Sequence, residues 1–164
     1  MTLDPEQKLS MQKSLQVARI IWFTFCFAVP LLLLLGYGLL VLHGHPAAFL
    51  AGFSGVPWKD PIVYGFIIVA VATLAVAAIF PERLSTLWKF KDTSIFYRLR
   101  IRHLWTCALL ETIPFYGLAL GLLLGPGLAS LALAFLVVPM VAGCMIYPNE
   151  NDWRYRFKLA HEHF

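Results

Sequence analysis

Apolar residues in this chain fall into four long blocks, Ile20 to Leu42, Ile62 to Phe80, Leu104 to Leu124 and Leu128 to Tyr147, and only the third contains an ionisable acid or base. About 20 residues rising 1.5 Å each as a helix cross the roughly 30 Å hydrocarbon core of a bilayer. Within the blocks, Leu31 to Leu35 and Ile67 to Ala72 show no alternation of apolar and polar positions. Outer-membrane barrel strands require that alternation, so helices are the way left to satisfy the backbone. The pattern predicts an all-α polytopic membrane protein with four transmembrane helices over about 20–42, 62–80, 104–124 and 128–147. An N-terminal segment 1–19, a loop 81–103 and a C-terminal tail 148–164 lie outside them.

Composition agrees with this assignment. Of 164 residues, 60% are hydrophobic and 13% charged, more apolar surface than one soluble core of that size can hide. The first block is longer than a signal-peptide core and no A-x-A-like cleavage site follows it, so it is expected to be retained.

Charge placement sets the orientation. Lys8, Lys13 and Arg19 precede the first block, Arg83, Lys89, Lys91, Arg98, Arg100 and Arg102 lie between the second and third, and Arg154, Arg156 and Lys158 follow the fourth. Lys59 alone lies on the other side, and the Gly125-Pro126-Gly127 turn carries no charge. The positive-inside rule then places both termini in the cytoplasm, in a cytoplasmic (inner) membrane. The net charge of +4 follows from topology and suits anionic headgroups, so no nucleic-acid partner is expected.

Candidate chemistry is sparse. Cys26, Cys107 and Cys144 lie inside the blocks without C-x-x-C spacing and read as reduced packing residues. His43 and His45 stand at the outer end of the first span, where a haem, pigment or metal ligand is one reading and a polar turn beside Gly44 and Pro46 the other. His161 and His163 have no matching cysteine or acid cluster, and His103 reads as an interfacial residue. No catalytic triad, P-loop or dinucleotide fingerprint is present, so neither an enzyme nor a cofactor nor a metal site is expected.

Two further patterns carry organisation. The second block ends Ala78-Ile79-Phe80-Pro81-Glu82 and then reaches Trp88-Lys89-Phe90-Lys91, while the fourth ends Met145-Ile146-Tyr147-Pro148-Asn149 and then reaches Trp153-Arg154-Tyr155-Arg156. The first and third blocks carry Pro30 and Pro114 near the middle. Two related helical hairpins explain these likenesses; so does independent arrival at a common interfacial solution. The stretch from Trp88 to Arg102 mixes aromatic and basic residues as an interfacial helix does, with Phe49, Phe53 and Trp58 as counterparts on the opposite side.

Glu111 is the single costly residue. An acid near the middle of a span costs roughly 2.5–3.5 kcal/mol on insertion scales and must face protein or water. It either ties its helix to a neighbour or takes up and releases a proton or cation. Gly117, Gly121 and Gly125 follow at four-residue spacing as a helix-packing face, and Glu111 lies within about 80° of Gly121 and about 60° of Pro114 around the helix. The stretch Ala108-Leu109-Leu110-Glu111-Thr112-Ile113-Pro114-Phe115-Tyr116-Gly117-Leu118-Ala119-Leu120-Gly121 resembles the carboxylate-bearing helix of the proteolipid c subunit of rotary ATP synthases, in which an acid followed by x-Ile-Pro carries the ion. That resemblance implies ion carriage at Glu111 but covers one helix. The second block has scattered alanines (Ala70, Ala72, Ala75, Ala77) instead of that family's glycine repeat, and the loop 81–103 is longer, so membership is not inferred.

Two functions are therefore expected. One is a non-catalytic accessory or scaffolding subunit, or assembly factor, held in the bilayer by partner membrane subunits through the glycine face. The alternative is an ion- or proton-translocating element centred on Glu111 with Pro114.

Overall fold

The computed structural model describes residues 4–45, 47, 50, 52–87, 95–125 and 128–162, apart from the side chains at 81, 82, 84–87 and 159–162. The aromatic and basic segment 88–94, together with Phe49, Pro126, Gly127 and His163, lies outside the described residues. Helices α1 (Pro5–Gly44), α2 (Pro61–Leu87), α3 (Ile95–Leu124), α4 (Ala129–Met145) and α5 (Glu150–Glu162) form the molecule, with a 3-10 turn at Gly52–Gly55 and no strand among the described residues.

The membrane helices extend well beyond the apolar blocks at one end. α1 is 40 residues long and starts at Pro5, where the ring's fixed φ suits a first helical turn and the Gln7 side chain accepts from the Asp4 N–H at 3.3 Å. α3 begins at Ile95, so most of the expected loop 81–103 is helix rather than connection. Residues 95–103 form the first turns of α3 and not a separate interfacial helix. Three helices, α1, Pro61–Phe80 of α2 and α3, are long and apolar enough to cross a membrane. α4, at 17 residues, reaches that standard only together with Glu150–Lys158 of α5 across a 56° bend. Length and composition thus support three to four crossings.

α3 is the central helix. It packs most extensively on α4 and α2, and also on α1, whereas α1 and α2 are held apart with α3 between them. The first two apolar blocks are therefore not a packed hairpin of their own. The similar exits also differ in form: α2 continues through Pro81 to Leu87, while the chain leaves helix after Met145 and restarts at Glu150. At that restart the Asn149 side chain accepts from the Asn151 N–H at 3.0 Å, turning the chain into α5.

α2 meets α3 along one narrow stripe. Val63, Ala70 and Ala77 recur every seventh residue and are buried, as the seam of a left-handed helix pair requires. The remaining surface of α2 faces outward, with Ile68 66% and Val71 60% exposed. On the other helices Leu40, Leu122 and Met145 are equally open. In a bilayer these side chains meet lipid instead of water, so their exposure carries no hydrophobic penalty and their burial would carry little gain.

A separate core closes the basic end. Met11, Leu15 and Ala18 of α1, Phe96 and Leu99 of α3, and Trp153 and Phe157 of α5 are buried against one another. Phe96 and Phe157 stack with centroids 5.3 Å apart. None of these residues belongs to an apolar block. This layer brings the N-terminal segment, the start of α3 and the C-terminal tail to the same end of the bundle, as the charge pattern requires.

Candidate functional site

The middle of the bundle is shaped by prolines. Pro30 has no N–H to give the carbonyl four residues back, and its ring crowds that carbonyl. The helix responds one turn earlier by widening into a π turn over Thr24–Ala28, with the Val29 N–H bonding Thr24 O. Such turns disrupt the regular ladder and concentrate at working surfaces of helices. Pro114 in α3 and Pro139 in α4 are, like Pro30, fully buried. Beside Pro114, the Thr112 hydroxyl donates to Leu109 O at 2.7 Å. Pro139 was not singled out in the sequence, since a proline inside an apolar block carries no sign of what it packs against.

Small residues bring the helices together. A methyl placed on Gly117 would lie 2.5 Å from Phe135 Cβ and 2.7 Å from Ala132 O, both on α4. At Gly121 the same methyl would strike the Tyr37 ring and hydroxyl on α1. Gly125 differs: it lies just past the end of α3 with φ +86° and open space around it, the conformation that stops a helix at little cost in glycine. The glycine face thus divides into two contacts within the chain and one helix stop. Gly143, which the four-residue spacing rule does not find, makes a third contact. Its missing side chain admits Cys26 of the π turn, whose Cβ would lie 2.6 Å from a methyl there, and its carbonyl accepts the Trp22 indole N–H at 2.7 Å.

Cys26 and Cys107 are both buried, with sulfurs 3.8 Å apart between α1 and α3. Cys144 is exposed on α4, unlike the packing role its position in the block suggests. Glu111 lies one helical turn from Cys107, within electrostatic reach of both buried thiols. It sits at the rim of the α1–α3 seam, partly exposed, and has no hydrogen-bond or ion-pair partner among the described residues. Pro114 is buried behind it, whereas Phe115, four residues on, and Leu122, eleven on, are 52% and 77% exposed. These spacings align the three side chains along one outer line of α3. The polar pair Tyr116 and Thr73, 3.4 Å apart between α3 and α2, lies on the other flank of the helix.

The outer histidines do not converge. His43 and His45 are both exposed; His43 Nδ1 lies 3.1 Å from Leu39 O on its own helix. No group of three His, Cys, Asp or Glu that suits a metal ion occurs among the described residues.

His103 of α3 packs against α5. It stacks on Trp153 with centroids 6.0 Å apart, and the Trp153 indole N–H donates to His103 Nε2 at 3.4 Å. Burial, then the neighbouring Arg102 charge, push its pKa down to about 4, against a smaller opposing pull from Asp152, with Arg156 lowering it further. His103 is therefore neutral at physiological pH. Nearby, Arg19 of α1 donates to Pro148 O at 3.3 Å and lies 5.6 Å from the Tyr147 ring, fixing the α4–α5 bend to α1. Comparison of the chain with protein-family models, with curated proteins and with solved structures finds no match.

Proposed function

We propose that this chain is a non-catalytic subunit or assembly factor of a larger membrane complex, and that Glu111 is its point of contact with a partner helix. The observation that carries this reading is the placement of Glu111: an acid at mid-span, at an open rim, without a partner of its own among the described residues. A carboxyl facing hydrocarbon alone costs several kcal/mol and is retained where another group meets it. The line Glu111, Phe115 and Leu122 offers a second helix an apolar track with one polar anchor. Gly117 and Gly121, the face expected to receive that helix, are taken up by α4 and α1.

The proposal includes four spans in a cytoplasmic membrane with both termini inside. Its support is the grouping of α1's first turns, the start of α3 and α5 at one end together with the basic residues. The test is extraction of the chain from its own membrane with a mild detergent, comparing native protein with Glu111→Ala and Glu111→Gln. Loss of co-purifying membrane subunits in Glu111→Ala, with the chain still folded, supports the reading. Unchanged association defeats it.

A second reading rests on the same open rim. A carboxyl at an open rim, one turn from a proline inside its helix, is placed to exchange a proton or cation. Purified chain in liposomes would then dissipate an imposed proton or sodium gradient, and Glu111→Gln would abolish that flux. Absence of flux in the native protein removes this reading.

A further inference from the structure

Where α4 ends and α5 begins, a cavity of about 490 Å³ opens beside α3. Its polar wall carries Arg102, His103, Asn149, Asp152 and Arg156, and its apolar wall Met145 and Ile146. Two guanidinium groups thus face one carboxylate, and Arg156 Nε bonds Asp152 Oδ2 at 2.9 Å. Among the residues lining the cavity, the basic side chains outnumber the acidic one. Arg102 stands two residues before the apolar block that starts at Leu104, so the cavity lies at the depth of lipid headgroups on the basic side.

A second, almost wholly apolar hollow of about 700 Å³ runs along the α2-facing side of α4, past Leu74, Leu133, Val137 and Val141. Met145 lines both hollows. A polar, arginine-lined chamber at headgroup depth that shares a wall with an apolar groove running into the membrane matches one class of molecule.

We infer that this pair of hollows holds a single anionic phospholipid, its phosphate against Arg102 and Arg156 and an acyl chain in the groove between α4 and α2. Basic pockets between membrane helices on the cytoplasmic side recognise acidic headgroups, and guanidinium groups match phosphate oxygens in pairs. The apolar groove selects a lipid over free phosphate. Asp152 holds the Arg156 guanidinium in place at the mouth of the cavity.

The test uses the full chain, delipidated in detergent and followed by native mass spectrometry. Phosphatidylglycerol, phosphatidylcholine and inorganic phosphate are added separately. One phosphatidylglycerol should be retained in preference to phosphatidylcholine, and inorganic phosphate should fail to compete at matched concentration. The double variant Arg102→Gln/Arg156→Gln should lower that preference on the order of tenfold. Val141→Trp, which fills the groove and leaves the charges alone, should weaken both lipids without touching the preference. Should the double variant fail to fold, the native protein's preference and the Val141→Trp result still decide. Equal retention of the two lipids, retention indifferent to Val141→Trp, or displacement by inorganic phosphate overturns the inference, the last by making the cavity a free-phosphate site. The outcome is independent of Glu111, which lies on the α1 side of α3.

Discussion

Trp22 of α1 donates its indole N–H to the carbonyl oxygen of Gly143 in α4, 2.7 Å away, at the crossing where Cys26 occupies the space a side chain on Gly143 would fill. This crossing joins two helices that are not neighbours in sequence. It depends on the widened turn before Pro30, which carries Cys26.

Gly143→Leu should therefore disrupt the α1–α4 contact. The first added carbon meets the Cys26 Cβ, part of a helix and unable to swing away, so overpacking of about 1–3 kcal/mol is expected. Trp22→Phe removes the donor together with part of the ring that packs on Phe27 and Tyr147, and should cost at least about 0.6 kcal/mol, the value typical of interhelical hydrogen bonds in membranes. Reversible unfolding in mixed micelles measures both. A Gly143→Leu protein as stable as the native one would refute the crossing.

The two cores obey different energetics. Lipid is as apolar as leucine, so inside a membrane helix association depends on close fit; the layer at the basic end lies outside the apolar blocks and gains from burial itself. Trp153→Ala should cost about 3–5 kcal/mol there. Leu40→Ala, at a position 64% exposed on α1, should lie within about 0.5 kcal/mol of the native protein. Near-equal losses from the two substitutions would show that the layer is not a core.

Much of this division was legible in the sequence. The apolar blocks located the helices long and apolar enough to cross a bilayer, because crossing demands uninterrupted apolar length, and the basic residues marked segments that meet at one end of the bundle. Met11, Phe96 and Trp153 gave no such signal, since each sits in a mixed polar stretch and becomes a core only when three distant segments meet. Gly117 and Gly121 were recognisable as close-packing residues, but their partners, Phe135 and Tyr37, were not, because spacing along one helix does not reveal which helix faces it. Gly143 lacked even the spacing. Glu111 stood out by its cost alone, and its position at an open rim required the packing of α1 against α3.

The basic-end layer should also respond to pH. His103 is held neutral, its pKa near 4 in the folded chain against about 6.5 for an unconstrained histidine. Between those values the unfolded chain binds more protons, so stability rises with pH across that window. The contribution is fully present above about pH 6.5 and lost as pH falls toward 4. The groups facing His103 are Trp153, Asp152 and Arg156 of α5 and Arg102 of its own helix. Thermal unfolding from pH 4 to pH 8 should show this slope in the native protein and a smaller one in His103→Gln. Identical slopes would place the titration elsewhere.

Cys26 and Cys107, with sulfurs 3.8 Å apart, report directly on the α1–α3 seam beside Glu111. Treating membranes with a lipid-permeable oxidant such as copper phenanthroline should produce an intramolecular crosslink between them, absent from Cys107→Ser. The exposed Cys144 should not join it. A crosslink lacking Cys26 or Cys107 would mean that the seam is packed differently.

The most direct measurement of the account's central claim is native mass spectrometry of the chain gently extracted from its own membrane, with the native protein and Glu111→Ala compared side by side. The account predicts a defined complex with other membrane subunits for the native chain and a released, folded chain for the variant. A native chain found alone, or a complex indifferent to Glu111→Ala, would contradict it.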